Sequence, residues 1–367
     1  MLINELDTPF VLIDLERLDA NIRDMQQIAD LGRVRLRPHA KTHKLPEVAH
    51  LQIEAGAVGV TVAKLGEAEV MADGGVHDIL IAYPIVGRQK IERLAALLPR
   101  AAITVAVESE EGIEAAADAG RLAGRPVSIL IEVDSGFGRV GVKPDAGLLR
   151  AMAARITKEP SLELKGLLTF AGQSYDTGSN EERRRIAMLE AGTVERLAAL
   201  LETDGYQMQI VSAGSTPSSR FVAGLPGVTE LRPGTYVFGD LMQVKLGAHE
   251  LDHCALTVYT TIISRPEPDR AVVDAGTKLF TSDGEDSPIG TGRGYAVGHP
   301  DVTLEWMTEE HGMLRLGEAA QGLRIGDRLA FIPVHCCGVI NMTDRVAAVR
   351  GGEVEAFWNV AARGKFQ

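Results

Sequence analysis

From residue 34 to residue 238 the chain alternates short apolar runs with amphipathic segments of helical period, and this alternation constrains its fold more than any other feature. Runs of strand length separated by helical patterns signal βα units on a parallel sheet. The strands are expected at Val34–Arg37, Val58–Ala63, Asp78–Tyr83, Ala102–Val107, Val127–Val133, Leu164–Phe170, Gln207–Ser212 and Glu230–Phe238. Between them the periodicity predicts helices over Leu45–Glu54, Gly66–Asp73, Gln89–Leu98, Glu110–Ala123, Ala146–Ile156, Glu181–Leu201 and a short one near Pro217–Val222. Eight such units are what a closed (β/α)8 TIM-type barrel requires. A leading helix, Leu15–Ala29, is expected to start from an Asp14 cap.

After about Gly247 the helical period fades. Runs at Ala255–Ser264, Ala271–Asp274, Met313–Leu316, Arg328–Ile332, Arg345–Arg350 and Glu353–Trp358 are separated by Gly, Pro and polar turns, which reads as a mostly antiparallel β domain. Pro9–Ile13 is expected to add a strand to it. The division is therefore a barrel over 14–246 and a second domain over 247–367 plus 1–13, a size that 367 residues allow. The net charge of −12 argues against a nucleic-acid partner, since phosphate must be met by basic surface. No apolar run approaches membrane-spanning length, and Met1–Asp7 shows no basic stretch leading into an apolar one. Three cysteines, two of them adjacent, make no disulfide framework. A cytoplasmic location is expected.

Four segments carry candidate chemistry. The first is Arg37-Pro38-His39-Ala40-Lys41-Thr42-His43-Lys44, just past the first strand, where Pro38 has no N–H to continue a ladder. Lys41 thus falls at the carboxyl end of a barrel strand, the face that bears the chemistry of such barrels. A lysine there can form a Schiff base with pyridoxal phosphate if neighbouring cations and desolvation lower its pKa. Arg37, His39, His43 and Lys44 could be those cations. The octapeptide also reads as a solvated basic turn.

The second is Ser212-Ala213-Gly214-Ser215-Thr216-Pro217, after the seventh strand. Small residues let backbone N–H groups approach an anion, and a following helix N-terminus would assist them. The same string also makes an ordinary turn. The third is Asp134-Ser135-Gly136-Phe137-Gly138-Arg139-Val140-Gly141, whose glycines could bend Arg139 back toward the barrel mouth. Arg139 could there tune a pyridine ring, or it could simply pair with Asp134. The fourth is Pro333-Val334-His335-Cys336-Cys337-Gly338. His335 and Cys337, two apart, share one side of an extended strand and could hold a divalent metal in an open site. Cys336 reads as a core residue.

Taken in order, these segments resemble the D-threonine aldolase and D-serine dehydratase family, metal-dependent pyridoxal-phosphate enzymes of alanine-racemase-like fold. The resemblance also takes in Arg232-Pro233-Gly234-Thr235-Tyr236-Val237-Phe238 and Glu309-Glu310-His311-Gly312. It implies that Lys41 is the Schiff-base lysine and that Arg139 lies beside the pyridine ring. It further implies that Ser212, Gly214, Ser215, Thr216 and Tyr236 bind the cofactor, and that His335 and Cys337 hold zinc, manganese or magnesium. A thiolate favours zinc among these. Some relatives show an aspartate where Cys337 stands, while zinc-dependent D-serine dehydratases show cysteine. The loop after the sixth strand lacks the histidines of many relatives, leaving Gln173 and Tyr175 as candidate bases.

The expected activity is retro-aldol cleavage of a small D-3-hydroxy amino acid to glycine and an aldehyde, by a homodimer. Dehydration of D-serine or D-3-hydroxyaspartate to a keto acid and ammonia is the nearest alternative. Racemisation needs two bases and no metal. A non-catalytic pyridoxal-phosphate carrier would need neither the long β domain nor His335-x-Cys337.

Overall fold

The computed structural model describes residues 1–282 and 292–367, and the statements below concern these. The chain forms two compact units. One comprises Met1–Ile22, Thr42–Leu45 and Thr235–Gly364, the other Arg23–Lys41, Pro46–Gly234 and Lys365–Gln367. The division falls between Gly234 and Thr235, earlier than residue 247. In chain order the strands are β1 (Phe10–Asp14), then β2 (Arg35–Leu36), β3 (Val60–Val62), β4 (Asp78–Ile81), β5 (Ala102–Val107), β6 (Val127–Val133), β7 (Leu162–Thr169), β8 (Ile210–Ala213) and β9 (Glu230–Leu231). They continue with β10 (Leu256–Glu267), β11 (Arg270–Val273), β12 (Gly294–Ala296), β13 (Val302–Met307), β14 (Gly312–Leu316), β15 (Arg328–Pro333), β16 (Arg345–Arg350) and β17 (Glu353–Asn359).

Strands β2 to β9 form one parallel sheet in the order β2-β9-β8-β7-β6-β5-β4-β3. Its edges meet through backbone bonds: Val58 N–H donates to Leu36 O at 2.9 Å, Thr61 N–H to Pro38 O at 2.7 Å, and Ala40 N–H to Thr61 O at 2.7 Å. The sheet is thereby closed into the expected barrel. Leu80, Ala106, Leu130, Leu168 and Ile210, one from each of β4 to β8, form a buried interior layer, as such barrels fill their centres. The surrounding helices begin where side chains can satisfy their first amides. Ser109 caps Glu110–Ala123, Asp145 caps Ala146–Thr157 and Ser179 caps Asn180–Thr203. Asp14 accepts from Arg17 N–H at 3.0 Å at the start of Leu15–Gly32, in the capping role read from the sequence.

One strand is far shorter than its apolar run implies. The segment Glu230–Phe238 is extended only at Glu230–Leu231, and Thr235–Val237 is a 3-10 turn. Pro233 brings no N–H to a ladder and its φ is fixed, so the run breaks there.

The other unit is built on a nine-stranded sheet. Strands β10, β11, β14, β13, β12 and β15 pair in that cycle and return to β10, closing a small barrel. β1, β16 and β17 extend from β10 as a flange, with β1 antiparallel to β10 and parallel to β16. All the strands expected here form, and β12 and β13 are additional. No described helix is long and apolar enough to cross a membrane.

Candidate active site

Lys41 lies in the turn after β2, half-buried, with its N–H 3.4 Å from His39 Nδ1. Its ammonium stands 5.9 Å from the centroid of Phe170, just past the end of β7. The guanidinium of Arg139, from the loop after β6, lies over the same ring at 4.5 Å. Three strand ends thus deliver an amine, a guanidinium and an aromatic face to one place. Arg139 reaches it because Asp134 serves the loop backbone, accepting from the N–H groups of Gly136, Phe137 and Gly138 at 2.9–3.0 Å. These bonds hold the Asp134 carboxyl below its ordinary range although burial pushes it up. Gly172 lets the Phe137 ring rest against it, since a Cβ there would lie 2.4 Å from that ring. Tyr175 adds its ring 6.3 Å from Phe170. Gln173 donates to Ser135 O at 3.3 Å, and an amide takes up no proton near neutral pH, so of the two candidate bases only Tyr175 has acid–base chemistry.

The cations expected to depress the Lys41 pKa are partly engaged elsewhere. Arg37 donates to Glu230 at 2.8 Å and to Asp78 at 2.6 Å. Lys44 directs its ammonium to Ala362 O at 3.4 Å. Arg139 is the guanidinium that shares a ring with Lys41.

Beneath this mouth runs a buried polar chain that the sequence reading did not identify. Ser212 donates to Glu230 at 2.7 Å and accepts from Arg232 at 2.5 Å, and Arg232 reaches on to Thr169 O. The hydroxyl of Ser212, expected to bind cofactor, is therefore engaged in the barrel interior. Position 212 faces inward by the two-residue period of β8. Glu132 lies on β6 two residues beyond Leu130, on the interior side. Burial pushes its carboxyl from the ordinary 4.5 up to about 7, against the opposing pull of Arg232 and Arg139.

The turn after β8 also departs from expectation. Gly214 adopts φ 83°, and a Cβ there would come within 2.9 Å of Leu231. Yet its N–H donates to Glu190 at 3.1 Å, and Ser215 N–H donates to Ser218 Oγ at 2.8 Å. Those two amides are thus turned to protein acceptors, and the following helix, Ser219–Val222, is too short to contribute a dipole of consequence. What remains for an anion is a cluster of hydroxyls. Ser215 lies 3.1 Å from Ser218 Oγ and 3.5 Å from Ser174 Oγ, and Thr216 Oγ1 accepts from Gly234 N–H at 3.2 Å. An amine, a guanidinium over an aromatic ring and a hydroxyl-rich turn match the aldehyde, ring and phosphate of pyridoxal phosphate, so the donor set of this unit fits that cofactor.

In the β unit, His335 and Cys337 do not share an extended strand. β15 ends at Pro333, and Cys336–Met342 is helical with His335 at its N-cap. The helix brings Cys337 back against the imidazole by another route. His335 Nδ1 lies 2.8 Å from Asp240 Oδ2, an oxygen that also accepts from Cys336 N–H at 3.1 Å. Asp240 is fully buried and caps Leu241–Lys245 through Gln243 N–H. Burial alone would lower the His335 pKa, but Cys337 and Asp240 push it up to about 11. The imidazole thus sits against a buried carboxylate and a sulfur. Among the described residues no group of three or more His, Cys, Asp or Glu forms a metal cage. The donors present fit a divalent ion held by two side chains: a carboxylate fixes Nδ1 and leaves Nε2 to coordinate. Cys337 Sγ lies 3.5 Å from the hydroxyl of Thr42, the residue after Lys41 in the chain. Cys336 is buried, which raises its thiol pKa well above the usual value and suits a core role. Tyr236 lies in the buried 3-10 turn Thr235–Val237 of this same unit.

Asp240, Phe170 and Glu190 escaped the sequence reading, and Arg232 entered it only within a motif, without a role. Asp240 and its partner are 95 residues apart, and no local spacing signals such a pair.

Comparison with known proteins places the chain in a family of this fold. The model for the N-terminal domain of alanine racemase matches residues 13–242, and one described as a putative serine dehydratase domain matches residues 255–349. The chain is 35% identical over 364 residues to a D-threonine aldolase of Arthrobacter sp, covering 98% of this chain and 93% of that protein. It is 33% identical over 376 residues to the D-threo-3-hydroxyaspartate dehydratase of Delftia sp. (strain HT23), covering 99% and 96%. The crystal structure of the D-threonine aldolase from Filomicrobium marinum matches with a TM-score of 0.93 at 32% identity, covering 100% of this chain and 99% of that one.

Proposed function

The chain belongs to the alanine-racemase-like family of pyridoxal-phosphate lyases that includes the D-threonine aldolases, and from that premise we propose that it cleaves D-3-hydroxy amino acids by a retro-aldol reaction. The observation that carries the choice of reaction is the full-length similarity to a D-threonine aldolase. When bound, pyridoxal phosphate supplies an electron sink at the substrate's α-carbon, and a divalent metal lowers the pKa of the β-hydroxyl. Lys41 Nζ would anchor the cofactor and, once the substrate amine has taken its place, hold a proton. Arg139 would fix the pyridine ring, while Ser215, Thr216, Gly214 and Tyr236 would line the phosphate. Ser212 would support them from the interior through Arg232, which donates to its hydroxyl and whose backbone N–H donates to Gly214 O at 3.1 Å. His335 Nε2 and Cys337 Sγ would hold the metal, and Asp240 would orient the imidazole. The β-hydroxyl proton would pass to a base, for which Tyr175 is the candidate, as the Cα–Cβ bond breaks and an aldehyde departs, and Lys41 Nζ would return its proton to the α-carbon to give glycine.

Cys337 favours a second reading, dehydration, because it is the residue that zinc-dependent D-serine dehydratases show at this place. D-Threonine separates the two. Glycine and acetaldehyde are expected, whereas 2-oxobutanoate and ammonia would move the chain to the dehydratases. The assembly we propose is a homodimer, which a fully active monomer in sedimentation would contradict. The three cysteines are free, which suits a reducing compartment, and the cytoplasm is the proposed setting.

A further inference from the structure

The long helix Asn180–Thr203 carries a carboxylate that the chemistry above does not use. Glu190 is 1% exposed and reaches two loops of the barrel mouth at once. Its Oε1 accepts from Gly214 N–H at 3.1 Å and from Ala171 N–H at 3.3 Å, and its Oε2 accepts from the Ser218 hydroxyl at 3.1 Å. Ser218 Oγ in turn accepts from Ser215 N–H at 2.8 Å. One side chain therefore holds the backbone before Ser215, directly, and at Ser215, through Ser218. It also ties that turn to the loop that follows β7, where Phe170 and Tyr175 stand.

A buried carboxylate is costly unless its oxygens are bonded and its charge offset. Burial pushes the Glu190 carboxyl above its ordinary range. The bond from Gly214 N–H and Arg232, buried nearby, oppose this in part, and the bonds named above occupy both oxygens. An apolar residue on this helix would fill the same space without that cost. The carboxylate is therefore accounted for by what it holds in place.

We infer that Glu190 is the positioning residue of the turn Gly214–Ser218, setting the hydroxyls of Ser215 and Thr216 to receive the cofactor's phosphate. This rests on the reading of that turn as the phosphate site. Pyridoxal, which lacks the phosphate, is the probe that isolates the effect. The full-length chain, stripped of cofactor, is titrated with pyridoxal phosphate and with pyridoxal while visible absorbance is followed. In Glu190→Gln and in Ser218→Ala the Kd for pyridoxal phosphate should rise about tenfold or more, the scale of a lost charge-assisted hydrogen bond. The Kd for pyridoxal should stay as in the parent chain. Equal loss for both ligands, or no loss for either, overturns the inference, and Ser218→Ala decides it should Glu190→Gln not fold. Thr216→Val separates the two levels. If it weakens pyridoxal phosphate alone while Glu190→Gln does not, only the role of Glu190 falls. If Thr216→Val leaves the ratio of the two affinities unchanged, the phosphate reading falls, and the inference with it.

Discussion

His335 turns Nδ1 to an oxygen of Asp240 2.8 Å away, and that oxygen is also bonded by Cys336 N–H. The imidazole is thus locked in rotation, with Nε2 turned away from Asp240. Asp240→Asn should lower metal affinity about 10- to 100-fold, the usual effect of losing the carboxylate behind a ligating histidine. Equilibrium dialysis against zinc and manganese measures this. His335→Ala should abolish turnover, and chelation should do so while leaving Tm within a few degrees. Activity that survives both would remove the metal from the mechanism.

Lys41 is the amine that shares the Phe170 ring with Arg139. Lys44 is bonded to Ala362 O, and Lys64 lies 3.7 Å from the ring of Tyr83. Lys41→Ala should therefore lose the visible absorption band and all turnover, and borohydride should fix the cofactor to Lys41 in the parent protein. An adduct mapped to Lys44 or Lys64 would sink the assignment.

Glu132 makes stability depend on pH. Burial raises its folded pKa from 4.5 to about 7, so its contribution is fully present below about pH 4.5 and is lost as pH rises through 7. Glu132→Gln, which cannot ionise, should escape that loss. Relative to the parent it should gain on the order of 3 kcal/mol between pH 4 and pH 8. Urea midpoints at the two pH values report it, and a difference independent of pH would contradict the reading.

Arg37 and Glu230 form a buried pair at 2.8 Å, 4% and 0% exposed. Arg37→Met leaves Glu230 its bond from Ser212 but removes the guanidinium paired with it. Breaking such a pair costs about 3–5 kcal/mol, so thermal unfolding should shift sharply downward. A change near zero would mean that water or Arg232 takes over the charge.

The barrel was legible in the sequence because parallel strands covered on both faces read as continuous apolar runs. Ala102–Val107 and Val127–Val133 coincide with observed barrel strands. Glu230–Phe238 misled because apolar content alone does not distinguish a strand from a buried 3-10 turn. Lys41 and Arg139 could be singled out from their place beside strand ends and glycines, and the structure brings both to the Phe170 ring. The polar chain from Asp78 through Arg37, Glu230 and Ser212 to Arg232 was not, because each link joins residues remote in the sequence. The His335–Cys337 pairing was reached through the wrong local geometry. An extended strand and the first turn of a helix can both bring residues two apart near one another, here because the chain turns after Pro333.

β1 pairs Phe10 with Tyr259 of β10 and Val11 with Val346 of β16. On the ribosome, then, β1 must wait for partner strands that are made long after it. At roughly 5–20 residues per second that wait lasts on the order of ten seconds or more. All that while Val11, Leu12 and Ile13, buried in the finished protein, have no ladder to join. A nascent chain arrested before residue 256 should leave this segment open to chaperones and to proteases, even where the barrel's own parallel ladder has already formed.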